Sequence, residues 1–148
     1  MHSDQQQPCP CGSAKTFENC CQQVIQNDDA RTTEILMRSR YSAYVMGNAD
    51  YLLKSWHSST RPDTVHLHPV QWLKLQIQQS EHEHVTFSAF FKDQAKHKLL
   101  TEKSRFSQEH GHWRYLDGQY DIHEVSRNET CPCGSLKKYK RCCAKALK

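Results

Sequence analysis

Eight cysteines are the residues of this sequence best suited to chemistry. All of them fall in two short windows, Cys9 to Cys21 and Cys131 to Cys143, with none in the 109 residues between. Cys9-Pro10-Cys11-Gly12-Ser13 aligns with Cys131-Pro132-Cys133-Gly134-Ser135, and Cys20-Cys21 with Cys142-Cys143, every equivalent pair 122 positions apart. Each copy of this repeat reads C-P-C-G-S-x-K-x-[FY]-x-x-C-C and offers four soft thiolates, the number a closed tetrahedral zinc site requires. The first two sulfurs can meet one ion, about 2.3 Å from each, only if the chain reverses at once. Pro10 and Pro132 fix one dihedral of that reversal, and Gly12 and Gly134 admit positive φ. Phe17 and Tyr139 hold equivalent places where a ring can shield the knuckle, and Lys15 and Lys137 lie close enough in sequence to offset part of the tetrathiolate's negative charge.

The competing arrangement is disulfides. Against it, Met1 to Gln7 is polar and lacks the apolar core of a signal peptide, bridges between Cys9 and Cys11 or Cys20 and Cys21 would be strained, and a secreted scaffold gives no reason for two repeated tetrads around a bare middle. Two structural zinc ions are therefore expected, with iron–sulfur ligation or redox-active thiols as the alternatives. Four protein sulfurs leave no open position, so neither site is expected to activate water.

The repeats resemble the SEC-C motif, the zinc-binding tail of the SecA preprotein translocase ATPase. The resemblance implies ligands at Cys9, Cys11, Cys20 and Cys21 and at Cys131, Cys133, Cys142 and Cys143, with cysteine in the last place where the SecA tail has histidine. Two departures stand out: Ala14 and Leu136 replace the common second glycine, and the first copy has Thr16, Glu18 and Asn19 where the motif is usually basic.

That asymmetry carries into charge. From Cys131 to the end there are six Lys or Arg and no acid, against 14 basic and 16 acidic residues in the rest. With each zinc tetrathiolate counted at −2, the C-terminal module is +4 and the remainder −4. A basic tip formed by Lys137, Lys138, Lys140 and Arg141 would attract acidic proteins, nucleic acid or anionic lipid heads. The plain alternative is a solvated charge run that offsets its own thiolates.

The elements that must position these modules lie between them. The chain has 148 residues, 36% hydrophobic and 24% charged, and no stretch approaches the roughly 18 to 20 apolar residues of a membrane span, which places it among soluble globular chains and, as an expectation, in the cytoplasm. Three units are expected: a zinc module over 1–25, a central domain over 28–125 and a basic zinc module over 128–148. The central 98 residues are enough for one core. Thr33 to Met46 reads as a helix capped by Thr32 or Thr33 and stopped by Gly47, and Asp50 is expected to cap a second helix through Trp56. Beyond Pro62 the period falls to two: Leu73, Leu75 and Ile77, then Val85, Phe87, Ala89 and Phe91, alternate with other residues, and Leu99 to Phe106 and His112 to Leu116 form a further pair turning at Glu109-His110-Gly111. Helices first and a curved antiparallel sheet afterwards make an α+β domain.

Met37-Arg38-Ser39-Arg40-Tyr41-Ser42-Ala43-Tyr44, Asp50-Tyr51-Leu52, Ser55-Trp56-His57, Glu102-Lys103-Ser104-Arg105-Phe106 and Gly111-His112-Trp113-Arg114-Tyr115 resemble the YchJ family, and the resemblance spans essentially the whole chain. It implies a nuclear-transport-factor-2-like cone, N-terminal helices packed on a curved antiparallel sheet, with a zinc knuckle at each terminus. It brings a fold and no reaction, since that superfold hosts isomerases, dehydratases and binding proteins alike. Such cones commonly enclose a pocket and often dimerise, so a homodimer is an expectation. Arg40, Tyr41, Trp56, His57, Glu102, Arg105, Trp113 and Tyr115 are the candidate pocket residues, although aromatic residues at regular spacing serve a core equally well and a histidine just after a helix also serves as a C-terminal cap. His66-x-His68, His82-x-His84 and His110-x-His112 are read as polar surface segments rather than a third metal site.

Two function classes follow. One is an adaptor whose zinc modules dock on a chaperone, ribosome or translocation component. The other is a small-molecule enzyme with chemistry in the central pocket and structural zinc modules.

Overall fold

The computed structural model describes residues 7–147, and the start of the N-terminal module lies outside them. Three helices come first: α1 over Cys21–Asn27, α2 over Thr33–Met46 and α3 over Ala49–Lys54. Four strands follow: β1 over Gln71–Ser80, β2 over His84–Asp93, β3 over Lys96–Glu109 and β4 over His112–Glu124. Two short 3₁₀ turns, Tyr139–Arg141 and Cys143–Leu147, close the chain. The fold is the expected α+β arrangement, helices on an antiparallel meander of order β1-β2-β3-β4 with a cysteine cluster at each end.

The α2 boundaries follow from capping. Thr32 accepts from the Ile35 N–H at 3.1 Å, and Gly47 takes the left-handed conformation at φ 73° that ends the helix. For α3 the expected cap is corrected. Asn48, not Asp50, accepts from the Tyr51 N–H at 3.0 Å; Asp50 sits inside the first turn, where its charge meets the positive end of the helix. This helix also stops at Lys54, short of Trp56, because Ser55 and His57 leave it to exchange 2.8 Å backbone hydrogen bonds with Tyr115 of β4.

The β3–β4 turn has Glu109 facing His112, with His110 at φ 54° and Gly111 at φ 81°, the paired left-handed residues of a two-residue hairpin. β4 runs to Glu124, well past the expected end at Leu116, because Asp117-Gly118-Gln119 interrupts the hydrophobic alternation without breaking the ladder to β3. Gly118 has a packing reason: a Cβ there would collide with the Glu102 carboxylate and stand 3.1 Å from the Tyr115 hydroxyl.

Alternation along β2 assigns the two faces of the sheet. Val85, Phe87 and Ala89 pack with Leu36, Met37 and Tyr41 of α2 in the main core, while Phe90 points the other way into a smaller cluster with Val125 and Tyr139. A half-buried bidentate pair fastens the loop after α1 to β4: Arg114 donates from Nη1 and Nη2 to the two Asp28 oxygens, each at 2.8 Å.

Candidate metal centres and central cavity

Each cysteine tetrad converges. The four sulfurs of Cys9, Cys11, Cys20 and Cys21 lie within 4.8 Å of one another, as do those of Cys131, Cys133, Cys142 and Cys143. Sulfurs on a tetrahedron of 2.3 Å bonds stand about 3.8 Å apart. Cys11 and Cys20 are at 3.7 Å, Cys20 and Cys21 at 4.0 Å, and Cys133 and Cys142 at 3.5 Å, so the donor sets fit a divalent metal, and all eight thiols are free of disulfides.

The knuckle backbones repeat bond for bond. Cys9 N–H donates to Lys15 O at 2.9 Å and Cys131 N–H to Lys137 O at 2.8 Å. Phe17 N–H donates to Gln7 O and Tyr139 N–H to Glu129 O, both at 2.9 Å. Ser13 and Ser135 hydroxyls donate to Cys20 and Cys142 sulfurs, each at 3.1 Å. Gly12 and Gly134 have φ of 82° and 92° as expected, and Ala14 and Leu136 keep the glycine-like geometry at 71° and 70° despite their side chains. Ser135 holds the Cys133 thiol down to about 6, while burial pushes Cys20 and Cys131 up, so a metal entering the tetrads would have to displace protons from those two thiols.

The surroundings differ. Cys9, Cys11 and Cys21 are buried in the main core with Leu36, Met37 and Leu75. Arg38 of α2 donates to Cys11 O at 2.8 Å, and the Ser42 hydroxyl lies 3.6 Å from Cys9 Sγ. The nearby cation is thus Arg38, while Lys15 stands exposed. The C-terminal knuckle sits on the opposite sheet face, where only Cys131 among its ligands is buried. Tyr139 anchors it: its hydroxyl meets His97 Nδ1 at 2.7 Å, and His97 stacks on Phe90. Neighbouring residues of β1 serve the two sides, Leu75 packing with the first tetrad and Lys74 donating to Cys133 O at 3.2 Å. Lys137, Lys138 and Arg141 are exposed and Lys140 is half-buried. Leu136, at the tip, is 87% exposed.

The candidate pocket residues separate into two groups. Arg40, Tyr41, Trp56, Glu102 and Tyr115 line a cavity of about 390 Å³ between α2 and the sheet. His57 does not; its Nδ1 lies 2.8 Å from the Ser59 hydroxyl. Arg105 instead pairs with Asp117 across the outer sheet face, donating at 3.0 and 2.7 Å. Trp113 is core, covered edge-on by His82. Sequence reasoning missed Tyr44, Trp72, Ser104 and Tyr120 as lining residues; His66 and His68, read as surface residues, are exposed and also line the cavity. The signal for the histidines was the alternation Val65-His66-Leu67-His68: Val65 and Leu67 pack on Ala43, Tyr51 and Leu52, which turns the histidines the other way.

Inside the cavity Glu102 Oε2 accepts from Ser104 Oγ at 2.8 Å and from Tyr115 OH at 3.0 Å. Burial, and then the Glu102 charge, push the Tyr115 phenol up. Burial and the Cys11 charge likewise push Tyr41 up to about 12. Both phenols are neutral donors at physiological pH.

The family model for the YchJ middle NTF2-like domain matches residues 32–118, and the SEC-C motif matches 7–23 and 127–145. The chain belongs to the YchJ family. Among its relatives, UPF0225 protein plu2503 of Photorhabdus laumondii is 44% identical over 91% of this chain and 97% of its own length. UPF0225 protein VP1145 of Vibrio parahaemolyticus is 38% identical, with the same coverage. UPF0225 protein Ent638_2310 of an Enterobacter species is 41% identical over 93% of this chain and 97% of its own. No solved structure matches. Within this YchJ chain the two SEC-C matches bracket the two cysteine tetrads, and among the described residues no helix is long and apolar enough to cross a membrane.

Proposed function

We propose that this YchJ protein is a two-zinc adaptor: the N-terminal SEC-C knuckle is a structural member of the core, and the C-terminal knuckle is a docking head for an acidic protein surface, as on a chaperone, ribosome or translocation component. The observation that carries this reading is Leu136, 87% exposed at the knuckle tip, held in a left-handed conformation and followed by exposed Lys137 and Lys138. An exposed apolar side chain next to two exposed lysines suits a partner that pairs acidic groups with an apolar socket, the charges accelerating encounter and the leucine filling the socket. The zinc assignment rests on four thiolates at tetrahedral spacing, a set that selects zinc over harder ions. Nucleic acid is the other polyanion such a tip could meet, but it offers no socket for Leu136.

The test places a photo-crosslinking residue at Leu136 or at the equivalent Ala14, with and without Glu at Lys137, Lys138, Lys140 and Arg141. The proposal expects a discrete acidic protein adduct from position 136, none from 14, and loss of the adduct on charge reversal at unchanged zinc content. Equal adducts from both positions, or capture indifferent to charge reversal, would refute it.

The second reading, chemistry on a small molecule, is favoured by one observation: a carboxylate, Glu102, and a neutral phenol, Tyr115, are hydrogen-bonded to each other in the central cavity.

A further inference from the structure

The central cavity takes no part in the cysteine chemistry, and its groups are not those of a sealed core. Arg40 is 2% exposed and lines it. From Nη1 it donates to Leu52 O at 2.9 Å and to Ser55 Oγ at 2.6 Å. Its Cζ lies 4.6 Å from the Tyr115 ring centroid and 5.1 Å from that of Trp56. Among the described residues no carboxylate forms an ion pair with it. A guanidinium taken out of water is costly, and contacts with two aromatic faces offset only part of that cost. Burial pushes its pKa down, yet an arginine keeps its proton, and the Glu102 charge on the same cavity wall acts on it without a direct ion pair, so the guanidinium lacks a contacting carboxylate.

Two further groups are incompletely satisfied. Trp56, also on the cavity wall, has a buried Nε1–H with no acceptor. Glu102 receives both Ser104 and Tyr115 on Oε2, which leaves Oε1 free to accept from a donor. The remaining lining is largely apolar, with Tyr41, Trp72 and Leu100 among it, alongside exposed His66 and His68, and the volume of about 390 Å³ lies in the range of small-molecule sites.

We propose that this cavity binds a small aromatic acid, its carboxylate paired with Arg40 and a ring hydroxyl or amine donating to Glu102. A cationic ligand in the same aromatic surroundings is disfavoured because Arg40 already occupies the faces of Trp56 and Tyr115. A ligand with a second negative group is disfavoured by Glu102. The site is independent of the docking head, so failure of either reading leaves the other standing.

The test titrates 4-hydroxybenzoate, benzoate, benzamide and benzylamine into the zinc-loaded protein, following tryptophan fluorescence, since Trp56 and Trp72 line the cavity, and confirming by calorimetry. The expected result is saturable binding of 4-hydroxybenzoate below about 1 mM, benzoate and benzamide each about tenfold weaker or worse, and no binding of benzylamine. Arg40→Gln should abolish binding of both acids. Because Arg40 also supports Leu52 and Ser55, Glu102→Gln is the companion variant: it should bind benzoate at least as tightly as the wild type, a repelling charge having gone, and shrink the roughly tenfold advantage of the hydroxyl. Three results would each overturn the proposal: no saturable binding of either acid by the wild type up to about 10 mM, benzamide binding as well as 4-hydroxybenzoate, or a hydroxyl advantage unchanged in the Glu102→Gln protein.

Discussion

Cys11 and Cys133 hold equivalent places in two copies of one motif whose backbones match hydrogen bond for hydrogen bond, yet Cys11 is 0% exposed within the main core and Cys133 is half-buried over a satellite cluster. The difference lies outside the motif. After Cys21 the chain continues as α1 and carries the knuckle against α2, where Arg38 and Ser42 meet it. Among the described residues a 3₁₀ turn follows at Cys143, and the knuckle meets the domain through Tyr139 on His97, Lys74 on Cys133 and the cluster around Phe90 and Val125. Two copies of the same thirteen-residue motif thus sit buried in the core at one end and more exposed at the other, and the flanking residues contribute to the difference.

The largest effect should separate the two sites. Cys11→Ser removes a ligand from the main core, and a structural zinc site contributes about 10 kcal/mol or more, comparable to the whole stability of a domain. This variant is expected to lose the cooperative thermal transition in circular dichroism. Cys133→Ser should retain that transition, lowered by about 1–3 kcal/mol for the loosened contacts of Tyr139, Phe90 and Val125, and bind one zinc in place of two. Equal damage from both would erase the distinction between the two knuckles.

A smaller effect tests how the N-terminal unit is fastened. Arg114 holds the Asp28 carboxyl below its ordinary value of 3.8. A carboxyl lowered in the folded state contributes stability above its unfolded pKa, and the contribution falls away as the pH drops through the folded value. Asp28→Asn should therefore cost about 1–3 kcal/mol at neutral pH in denaturant titration, with the gap to wild type closing below about pH 4. A gap independent of pH would mean the pair contributes through shape alone.

Much of this was legible beforehand because it is local. The tetrads, α2 with a cap at Thr32 or Thr33 and its Gly47 stop, the four alternating strands and the His110-Gly111 turn each follow from residue type and short spacing. What escaped depends on contacts distant in sequence. Trp56 leaves its helix because Tyr115 offers it a strand partner, and β4 continues through Gly118 because Glu102 and Tyr115 need the space. His57, Arg105 and Trp113 share their composition with true pocket residues, and only the register of β3 against β4 and the end of α3 at Lys54 remove them.

The smallest effect concerns the turn both knuckles share. Ala14 and Leu136 adopt φ near 70°, a conformation that costs a residue with a side chain about 1 kcal/mol. Ala14→Gly should raise the thermal midpoint, by an amount corresponding to about 1 kcal/mol. Leu136→Gly should strengthen zinc retention at the C-terminal knuckle against a chelator while weakening partner capture, which separates metal binding from docking.

The most direct test of the central contrast is stepwise zinc removal by a chelator, followed by native mass spectrometry, with thiol alkylation and amide exchange read at each stage. The account predicts two zinc ions at the start. The first should be lost with alkylation confined to Cys131, Cys133, Cys142 and Cys143 while α2 and β2 stay protected, and the second only as the whole domain opens. Loss of the N-terminal zinc first, or of both together with global unfolding, would contradict it.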